Sequence, residues 1–415
     1  MKTNLWFKKR RYCHFDWPIK SLNSILSKIT TPEEVIRWSF YPFLKIQVKS
    51  KKFRSGKVND KIRPIMYACH ADAHLYAYYA DILSKRYEEK VKKEGIGSNI
   101  IAFRKLNKKC NINFAKDAFD AISAFGECCV LAFDIEKFFD SIDHACLKEK
   151  WAQVVGTHQL PDDHYKIYKS LTKFSFVERD KLIRTLKLSK YGKRPIRFCT
   201  SQIFREVVRK NKLIETNKCA FAIPQGSPIS GVISNIALLD FDIKINAETL
   251  ARSAKYYRYC DDILIICDMG DNIYFKNLVR DELSALNLKT NDKTKEHKFY
   301  YDGEFLKADS AVQYLGFMFD GVRAYIRSSS ISKFDSKMKK KISQFKKTRD
   351  KNNAKLVASG QPQRGLFMKT LLSRCTHLGR RNFIRYGLRA SNIFGSKTIK
   401  RQIAKLNRKF CRLTK

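Results

Sequence analysis

Acidic residues are scarce in this chain, which has 40 Asp and Glu residues against 83 Lys and Arg residues and a formal net charge of +43. A surface with so few carboxylates attracts polyanions. Neutralising phosphates releases counterions and dominates the affinity of nucleic-acid binders, so a large basic excess is their electrostatic footprint. The scarcity of acids therefore favours a nucleic-acid partner, with a membrane surface as the alternative.

Long apolar runs are also missing. No stretch of about 18 apolar residues offers a membrane-spanning helix. Charges interrupt the amino-terminal sequence MKTNLWFKKRRYCHFDWPIK, where a signal peptide needs an apolar core. The 12 cysteines are scattered without a CxxC pair, which excludes zinc-finger spacing and favours reduced thiols. We therefore expect a cytoplasmic protein with no membrane segment.

No internal repeat or low-complexity linker divides the chain, so its organisation has to be inferred from composition and periodicity. The 415 residues exceed what one core usually supports, and 44% of them are hydrophobic, which predicts two or three packed subdomains. Apolar spacings of three and four predict a long helix over Ala71–Lys90, and the sequence becomes strand-like over Cys128–Phe133.

The segment Ile331–Lys415 holds more than half of the net charge. Its 85 residues contain 25 Lys and Arg but only two acids, Asp335 and Asp350, for a charge of +23. Periodic apolar positions in FIRYGLRASNIF and IKRQIAKLNRKF predict basic helices with an inner apolar face. A folded region so one-sided in charge would repel itself without an anionic partner. We therefore expect this helical region to bind nucleic acid.

Two segments place carboxylates beside apolar runs. CVLAFDIEKFFDSIDH carries Asp134 directly after a strand-like run, and YYRYCDDILIIC is interrupted by Asp261 and Asp262. Burying adjacent like charges is costly without a counter-charge. With Asp134 at a strand end and the pair at a hairpin turn, the three would converge. Mg²⁺ commonly takes one or two carboxylates plus substrate phosphates, and two such ions about 3.5 to 4 Å apart support an in-line displacement.

Further segments accompany these carboxylates in a set order. Between them lies FAIPQGSPISGVISNIALL, in which Gln225 and Gly226 begin a turn before a close-packed helix. Upstream, KIRPI offers Lys61 and Arg63, and IIAFRK offers Arg104, all suited to gripping triphosphate oxygens. The segments LNLKTNDKTK and YLGFMFD follow downstream.

In order and spacing these segments resemble the successive motifs of a reverse transcriptase, over about Lys61–Asp320. KIRPI and IIAFRK resemble the finger motifs, and FDIEKFFDSIDH and YCDD resemble the palm motifs that carry the metal-binding aspartates. AIPQGSPISGVISN is similar to the motif that positions template and nucleotide, NDKT to the palm lysine motif, and YLGF to the primer grip.

Among reverse transcriptases the chain is similar to bacterial enzymes related to those of group II introns and retrons. It has neither the NAxxH and VTG signatures of retrons nor an HNH endonuclease pattern, and it resembles the defence-associated, unknown-group enzymes. That resemblance implies a function in antiphage defence and the copying of a cognate noncoding RNA.

The resemblance implies an α+β right-hand polymerase fold, with fingers, a palm of antiparallel sheet and helices, and a helical thumb. The implied divisions are a basic amino-terminal extension (1–60), fingers (61–127), a first palm segment (128–148), a fingers or palm insertion (149–217), a second palm segment (218–320) and a basic helical thumb (321–415). The implied activity is RNA-directed DNA synthesis, with an RNA template, deoxynucleoside triphosphates, two Mg²⁺ ions and a cDNA product.

Roles for individual residues follow from the same resemblance. Asp134 and Asp261 would hold the metal ions together with the backbone carbonyl of Ile135, and Asp262 would contribute mainly charge. The remaining assignments are Lys61, Arg63 and Arg104 to the triphosphate, Gln225 and Gly226 to nucleotide and template, and Leu315 and Gly316 to the primer grip. Lys293 is assigned to protonation of pyrophosphate, with a plain surface lysine as the alternative because LNLKTNDKTKEHK contains several lysines.

Phe139 has its own implied role, beneath the incoming sugar. On a strand, neighbouring residues face opposite ways, so Phe138 would pack inward while Phe139 faces the site. An RNA-directed RNA polymerase would share the palm and its acids, but the bulky Phe139 disfavours a ribose 2′ hydroxyl. A noncatalytic, maturase-like RNA-binding protein is the other alternative, and the intact set of three aspartates argues against it.

Overall fold

The computed structural model describes residues 6–54, 57–106, 109–188, 196–291 and 294–414, without the side chains of residues 50–54 and 57–61. The strands of these ranges are β1 (Phe43–Arg54), β2 (Lys57–Tyr67), β3 (Cys128–Asp134), β4 (Ser175–Glu178), β5 (Glu215–Thr216), β6 (Lys255–Tyr259), β7 (Asp262–Cys267), β8 (Lys295–Asp302), β9 (Phe305–Ala308), β10 (Val312–Tyr314), β11 (Phe317–Phe319) and β12 (Ala324–Ile326).

The α-helices of the same ranges are α1 (Leu26–Thr30), α2 (Pro32–Ile36), α3 (His70–Lys93), α4 (Asn111–Phe125), α5 (Phe138–Ser141), α6 (His144–Val155), α7 (Asp162–Thr172), α8 (Arg179–Thr185), α9 (Ser201–Ile203), α10 (Ser230–Ala237), α11 (Leu239–Ala251), α12 (Asn272–Ala285), α13 (Ser328–Ala358), α14 (Met368–Cys375), α15 (Phe383–Phe394) and α16 (Lys397–Thr414). A π-helical turn, Phe204–Arg209, continues α9, and a 3₁₀ turn, Met269–Asp271, precedes α12. None of the helices described is both long and apolar enough to cross a membrane.

The central sheet has five antiparallel strands in the order β6-β7-β3-β8-β9. Side chains alternate along β3: Cys129, Leu131 and Phe133 belong to one buried cluster, and Cys128 and Val130 to another. Because both faces are covered, β3 and β7 read as almost continuous apolar runs. Burying each large side chain contributes about 1.5–3 kcal/mol, so these two strands form a rigid platform. Polar residues lie at one end of the sheet, where the apolar runs of these two strands stop.

A second sheet, in the order β2-β1-β4-β5, lies upstream. β1 and β2 form a long antiparallel hairpin from Leu44↔Tyr67 to Arg54↔Lys57, and β4 joins β1 in parallel. The expected division at residue 60 therefore falls within a hairpin whose two strands form one unit. Composition does not reveal such a pairing, because the pairing is a tertiary contact.

Strands β10, β11 and β12 form a small antiparallel sheet that leads into the carboxy-terminal helices. β12 pairs with β11, so this sheet continues past the expected division at residue 321. The helices predicted from FIRYGLRASNIF and IKRQIAKLNRKF are confirmed as α15 and part of α16, and the helix predicted over Ala71–Lys90 is confirmed as α3. Ile384 and Ile403 pack in the same cluster as Val130 and Phe299 of the central sheet.

Candidate active site

The three predicted aspartates meet at one end of the central sheet. Asp134 is the last residue of β3 and lies opposite Asp262, the first residue of β7. The backbone N–H of Ile135 donates to the carbonyl of Asp261, with the two atoms 3.1 Å apart. Directly opposed residues on antiparallel strands project to the same face. The sheet therefore brings Asp134 and Asp262 onto one face, with Asp261 in the adjoining turn.

That turn joins β6 to β7 through two residues, Cys260 and Asp261, between the paired Tyr259 and Asp262. Cys260 has a φ of 60°, in the left-handed region that non-glycine residues seldom occupy. A positive φ at the first central position is typical of a type II′ hairpin turn, which normally has glycine there. Local strain of this kind concentrates at functional sites and persists only where the surroundings fix it.

Buried polar residues provide that support beneath the turn. The guanidinium of Arg258 donates through Nε and Nη2 to the two carboxylate oxygens of Asp242, at 2.6 and 2.5 Å, and both side chains are 0% exposed. Nη1 donates to the carbonyl of Cys260 at 3.1 Å and to Oδ1 of Asn235 at 3.2 Å. The hydroxyl of Tyr256 also donates to Asp242. The ion pair therefore holds the backbone of the turn from below.

The sequence prediction missed these supporting residues. A signal was present, because Arg258 stands within a strand-like run immediately before the acidic pair. A counter-charge for the aspartates was expected, yet the nearest buried arginine is paired with Asp242 of α11 instead. That partner lies 16 residues earlier in the chain, where periodicity does not point to it.

The electrostatics of the turn suit a cation. Burial raises the pKa of Asp261, the charge of Asp134 raises it further, and Arg63 acts in the opposite direction. A positive ion beside the two carboxylates would favour their ionised forms. Arg63, exposed on β2, is thus near enough for its charge to reach the turn.

These donors supply part of the coordination shell of a divalent ion. Among the residues described, no group of three or more His, Cys, Asp or Glu side chains is close enough together to hold a metal ion. Asp134 and Asp261 supply two carboxylates of the oxygen type that Mg²⁺ prefers, and Mg²⁺ usually completes its shell with water and substrate phosphates. The donor set therefore matches an ion that binds together with a nucleotide.

The Gln225–Gly226 turn is attached to β2. The N–H of Met66 donates to the carbonyl of Gln225 at 2.8 Å. Gly226 has a φ of 118°, and a Cβ added there would lie 2.7 Å from the carbonyl oxygen of Met66. Only glycine fits this approach. The predicted helix after the turn is confirmed as α10, and the turn lies three residues along β2 from Arg63.

Phe139 lies in a different local structure from the one predicted. Phe138 and Phe139 begin the short helix α5, after Lys137 in the left-handed conformation, so the alternation of a strand does not apply. Phe138 is buried, while Phe139 is half-buried with its ring centroid 5.6 Å from that of Phe138. The carbonyl of Phe139 accepts from the N–H of Ile223, which places it beside the segment leading to Gln225.

Arg104 does not have the predicted arrangement. Its Nε and Nη2 donate to the carboxylate of Glu88, both at 2.7 Å, and its Nη1 donates to the carbonyls of Gly97 and Ile100. The side chain is 5% exposed. A guanidinium with its donors committed in this way fastens its own loop to α3 and is not presented to a triphosphate, so its assignment is corrected to a structural one.

Two predicted lysines cannot be placed. Lys293 lies outside the residues described, as does the side chain of Lys61. The segment that leads to Lys293 does reach the site, because the N–H of Asn291 donates to the carbonyl of Asp134 at 2.8 Å.

The YLGF segment forms a tight hairpin turn between β10 and β11. Leu315 and Gly316 both have positive φ, 47° and 94°, as a type I′ turn requires. The N–H of Arg327 donates to the carbonyl of Gly316, and Nδ2 of Asn111 donates to that of Leu315. Burial raises the pKa of the neighbouring Tyr314 well above its usual range, and the charge of Asp262 adds to this shift. The hairpin therefore lies near the carboxylates.

Carboxylates lie at the end of the two central strands of an antiparallel sheet, near the exposed Arg63 and the Gln225–Gly226 turn, and this arrangement suits two-metal phosphoryl transfer. Residues 50–319 match the family of reverse transcriptases (RNA-dependent DNA polymerases). The chain belongs to this family and has its right-hand α+β fold. Enzymes of the family use divalent metal ions.

Similar solved structures include fungal telomerases. Apo telomerase of Candida tropicalis truncated from its C-terminal domain is 11% identical with a TM-score of 0.42, and the similarity covers 69% of this chain and 57% of that one. Telomerase of Candida albicans in complex with a TWJ fragment of telomeric RNA is 10% identical with a TM-score of 0.43, covering 94% and 65%. The chain thus spans between about half and two thirds of these proteins. No curated protein is significantly similar to it.

Proposed function

We propose that this chain is an RNA-directed DNA polymerase that extends a primer by two-metal nucleotidyl transfer. The observation that carries the proposal is the meeting of Asp134 with Asp262 on the opposite strand and Asp261 in the adjoining turn, within electrostatic reach of the exposed Arg63. The family match supports the same activity.

The proposed reaction joins the primer 3′ oxygen to the α-phosphorus of a deoxynucleoside triphosphate. The bond from that phosphorus to the bridging oxygen breaks, pyrophosphate leaves and the hydroxyl proton passes to water. When bound, two Mg²⁺ ions would activate the hydroxyl and steady the leaving oxygen. Asp134, Asp261 and the carbonyl of Ile135 would hold these ions, and Asp262 would add negative charge.

Other residues of the chain position the substrates. Arg63, with Lys61 from the same strand, neutralises triphosphate oxygens. Gln225 and Gly226 lie against nucleotide and template, Phe139 lies beneath the sugar, and Leu315 with Gly316 supports the primer. Lys293 gives a proton to the departing pyrophosphate. Positioning and electrostatic stabilisation then supply most of the rate enhancement.

We assign the subdomains to successive segments of the chain. With the hairpin of β1 and β2 kept together and the β10–β12 sheet kept whole, residues 43–127 serve as fingers, residues 128–148 and 218–326 as palm with an insertion between them, and residues 327–415 as a basic thumb that holds the template duplex. The basic extension that precedes β1, residues 1–42, supports the fingers.

The biological setting is proposed from the sequence resemblance alone. On that basis the chain is a bacterial, defence-associated enzyme in the cytoplasm that copies a cognate noncoding RNA into cDNA. Sequencing the RNA and DNA that copurify with the protein tests this part. Recovery of one structured RNA with its complementary DNA supports it, and a random sample of cellular RNA contradicts it.

Primer extension tests the activity. The purified chain is given an RNA template, a DNA primer and Mg²⁺ with either deoxynucleotides or ribonucleotides, and the Asp261→Asn variant serves as control. Extension with deoxynucleotides that the variant lacks is expected. Preferential use of ribonucleotides would indicate an RNA polymerase, and RNA binding without extension by either set would indicate a noncatalytic RNA-binding protein.

A further inference from the structure

A large groove lies outside the polymerase site, between the amino-terminal segment, the end of β2, helix α8 and the described residues Leu188, Ile196 and Phe198. Its volume is about 1490 Å³. We call it the amino-terminal groove. Its lining includes Lys9, Arg11, Trp17, Lys20, Tyr67 and Arg179. Small-molecule pockets usually measure about 300–1,000 Å³. This groove therefore suits a longer ligand.

The wall formed by the amino-terminal segment is fixed by hydrogen bonds. Asp16 accepts from the backbone N–H groups of His70 and Ala71, at 3.0 and 2.9 Å, and so caps the amino terminus of α3. Nε of Arg197 also donates to the carbonyl of Phe15, at 2.9 Å. A wall already held in place loses little conformational entropy when a ligand binds.

The positive charge of the groove favours an anionic ligand. Lys9, Arg11 and Lys20 are exposed, and among the residues described no carboxylate lies within ion-pair distance of them. Of the described residues that line the groove, the single acid is Asp180, whose side chain is 83% exposed and 3.5 Å from Arg179. The basic side chains are thus nearly uncompensated, unlike the lysine pairs elsewhere on the surface.

Aromatic side chains are interleaved with these charges. Trp17 is 60% exposed, and its ring centroid lies 5.9 Å from the guanidinium carbon of Arg197. An exposed tryptophan ring among cations offers a stacking face beside charges that attract phosphates, so it suits a ligand that is both flat and anionic. Single-stranded nucleic acid has both properties, because its bases stack on aromatic rings while its phosphates contact Lys and Arg.

The position of the groove relates it to the template. Tyr67, in its lining, ends β2, and the preceding Met66 bonds to Gln225. Arg63 lies four residues back along the same strand, about 13 Å away at the usual rise of a strand. An RNA strand that passes the Gln225–Gly226 turn would reach the groove within a few nucleotides. We propose that the amino-terminal groove binds a short single-stranded segment of the RNA template. This assignment rests on the proposed function.

Binding of a labelled single-stranded RNA of about 12 nucleotides, followed by fluorescence anisotropy, tests the proposal. The full chain carries Asp261→Asn, and neither metal nor nucleotide is added. The groove variant is Lys9→Gln with Arg11→Gln and Lys20→Gln. Its matched control removes three exposed charges on α3 and α12, through Lys92→Gln, Lys93→Gln and Arg280→Gln. Single-stranded DNA of the same sequence is measured in parallel.

Three lost phosphate contacts should lower the slope of log affinity against log salt by about 2 in the groove variant, and the control should keep its slope. Trp17→Ala should weaken RNA binding about tenfold, and Trp17→Phe should retain most of it. Photocrosslinking of thiouridine RNA should label the peptide that contains Trp17.

Equal losses in the groove variant and its control would overturn the proposal, and so would losses confined to DNA. Primer extension with Asp261 intact is measured separately. If the chain binds RNA through the groove but does not synthesise DNA, the proposed function alone is rejected. If it synthesises DNA but the groove variants leave RNA binding unchanged, the groove proposal alone is rejected.

Discussion

The end of the palm sheet and the carboxy-terminal helices use charge in opposite ways. At the palm, Arg258 and Asp242 are fully buried, paired and bonded to the turn that carries Asp261. Helix α13, by contrast, has 31 residues of which only Met338 and Ile342 are buried. In the palm each charged side chain is held in one position by its partners, so its removal should change the rate of the reaction. On α13 the charges are exposed and numerous, and we predict that each adds a small increment to the affinity for nucleic acid.

The two regions are nevertheless one folded body. Helices α15 and α16 bury Ile384, Ile399 and Ile403 in the cluster that covers one face of the palm sheet. Deleting Ile331–Lys415, the obvious truncation from composition alone, would expose that face as well as remove charge. Substitution of exposed side chains is therefore the appropriate way to compare the regions.

The largest effect is expected from Asp261→Asn combined with Asp262→Asn. Losing the anionic ligands should reduce primer extension by about 1,000-fold or more. The melting temperature should not fall, because an amide in place of Asp261 removes the cost of burying a charge. RNA affinity should remain, since the basic surface is elsewhere. Extension at the wild-type rate by the double variant would refute the assignment of these aspartates.

A second experiment separates support of the turn from stability of the fold. Arg258→Met alone should cost about 3–5 kcal/mol, because it leaves Asp242 buried and unpaired. The triple variant Arg258→Met, Asp242→Leu and Tyr256→Phe removes the ion pair together with the hydroxyl that bonds to it, and should recover most of the stability measured by urea unfolding.

Activity should not recover with it. The carbonyl of Cys260 still lacks the donor from Arg258, and a shift of about 1 Å at a catalytic group costs about 100-fold in rate. The triple variant should therefore be stable, bind RNA and extend a primer about 100-fold more slowly. Full activity in that variant would show that the ion pair serves stability alone.

The third experiment addresses α13 through Lys333→Gln, Lys337→Gln, Lys340→Gln and Lys347→Gln, all at exposed positions. The slope of log affinity for the template against log salt should fall by about 3, while the rate at saturating template stays near that of the wild type. The same four positions changed to Arg provide the control and should keep the slope. A slope unchanged by the Gln variants would mean that these charges are only solvated.

The features predicted from sequence are those that local periodicity encodes. The long helix α3, strand β3 and helices α15 and α16 each repeat one pattern over enough residues to be recognised. The meeting of the aspartates was also predictable, because a strand end and a hairpin turn bring such residues together once the sheet forms.

The features that were missed depend on tertiary contacts or on very short elements. Glu88 sequesters Arg104 across 16 residues, and nothing in the local sequence of either indicates the pair. Helix α5 has four residues, too few to show a helical period, so a strand was expected there. The hairpin of β1 and β2 crosses the expected division at residue 60, because charge and aromatic content do not report strand pairing.

The smallest expected effect, at Phe139, decides whether the palm also selects the sugar. In α5 successive side chains are separated by about 100° and not by the 180° of a strand. The half-buried ring of Phe139 can therefore touch both the core and the site. Phe139→Ala should raise ribonucleotide relative to deoxyribonucleotide incorporation about tenfold, or about 1.4 kcal/mol, because space opens for a 2′ hydroxyl.

The measurement is the ratio of kcat/KM for the two sugars on one template, in the wild type and in Phe139→Ala, with Phe139→Tyr as the conservative control. A loss of packing lowers both specificity constants in the same proportion and leaves their ratio unchanged. A changed ratio therefore reports contact with the sugar whatever the loss of total activity. An unchanged ratio would assign Phe139 to the core. The palm would then carry out the chemistry without selecting the sugar, and in selection it would not differ from the carboxy-terminal helices.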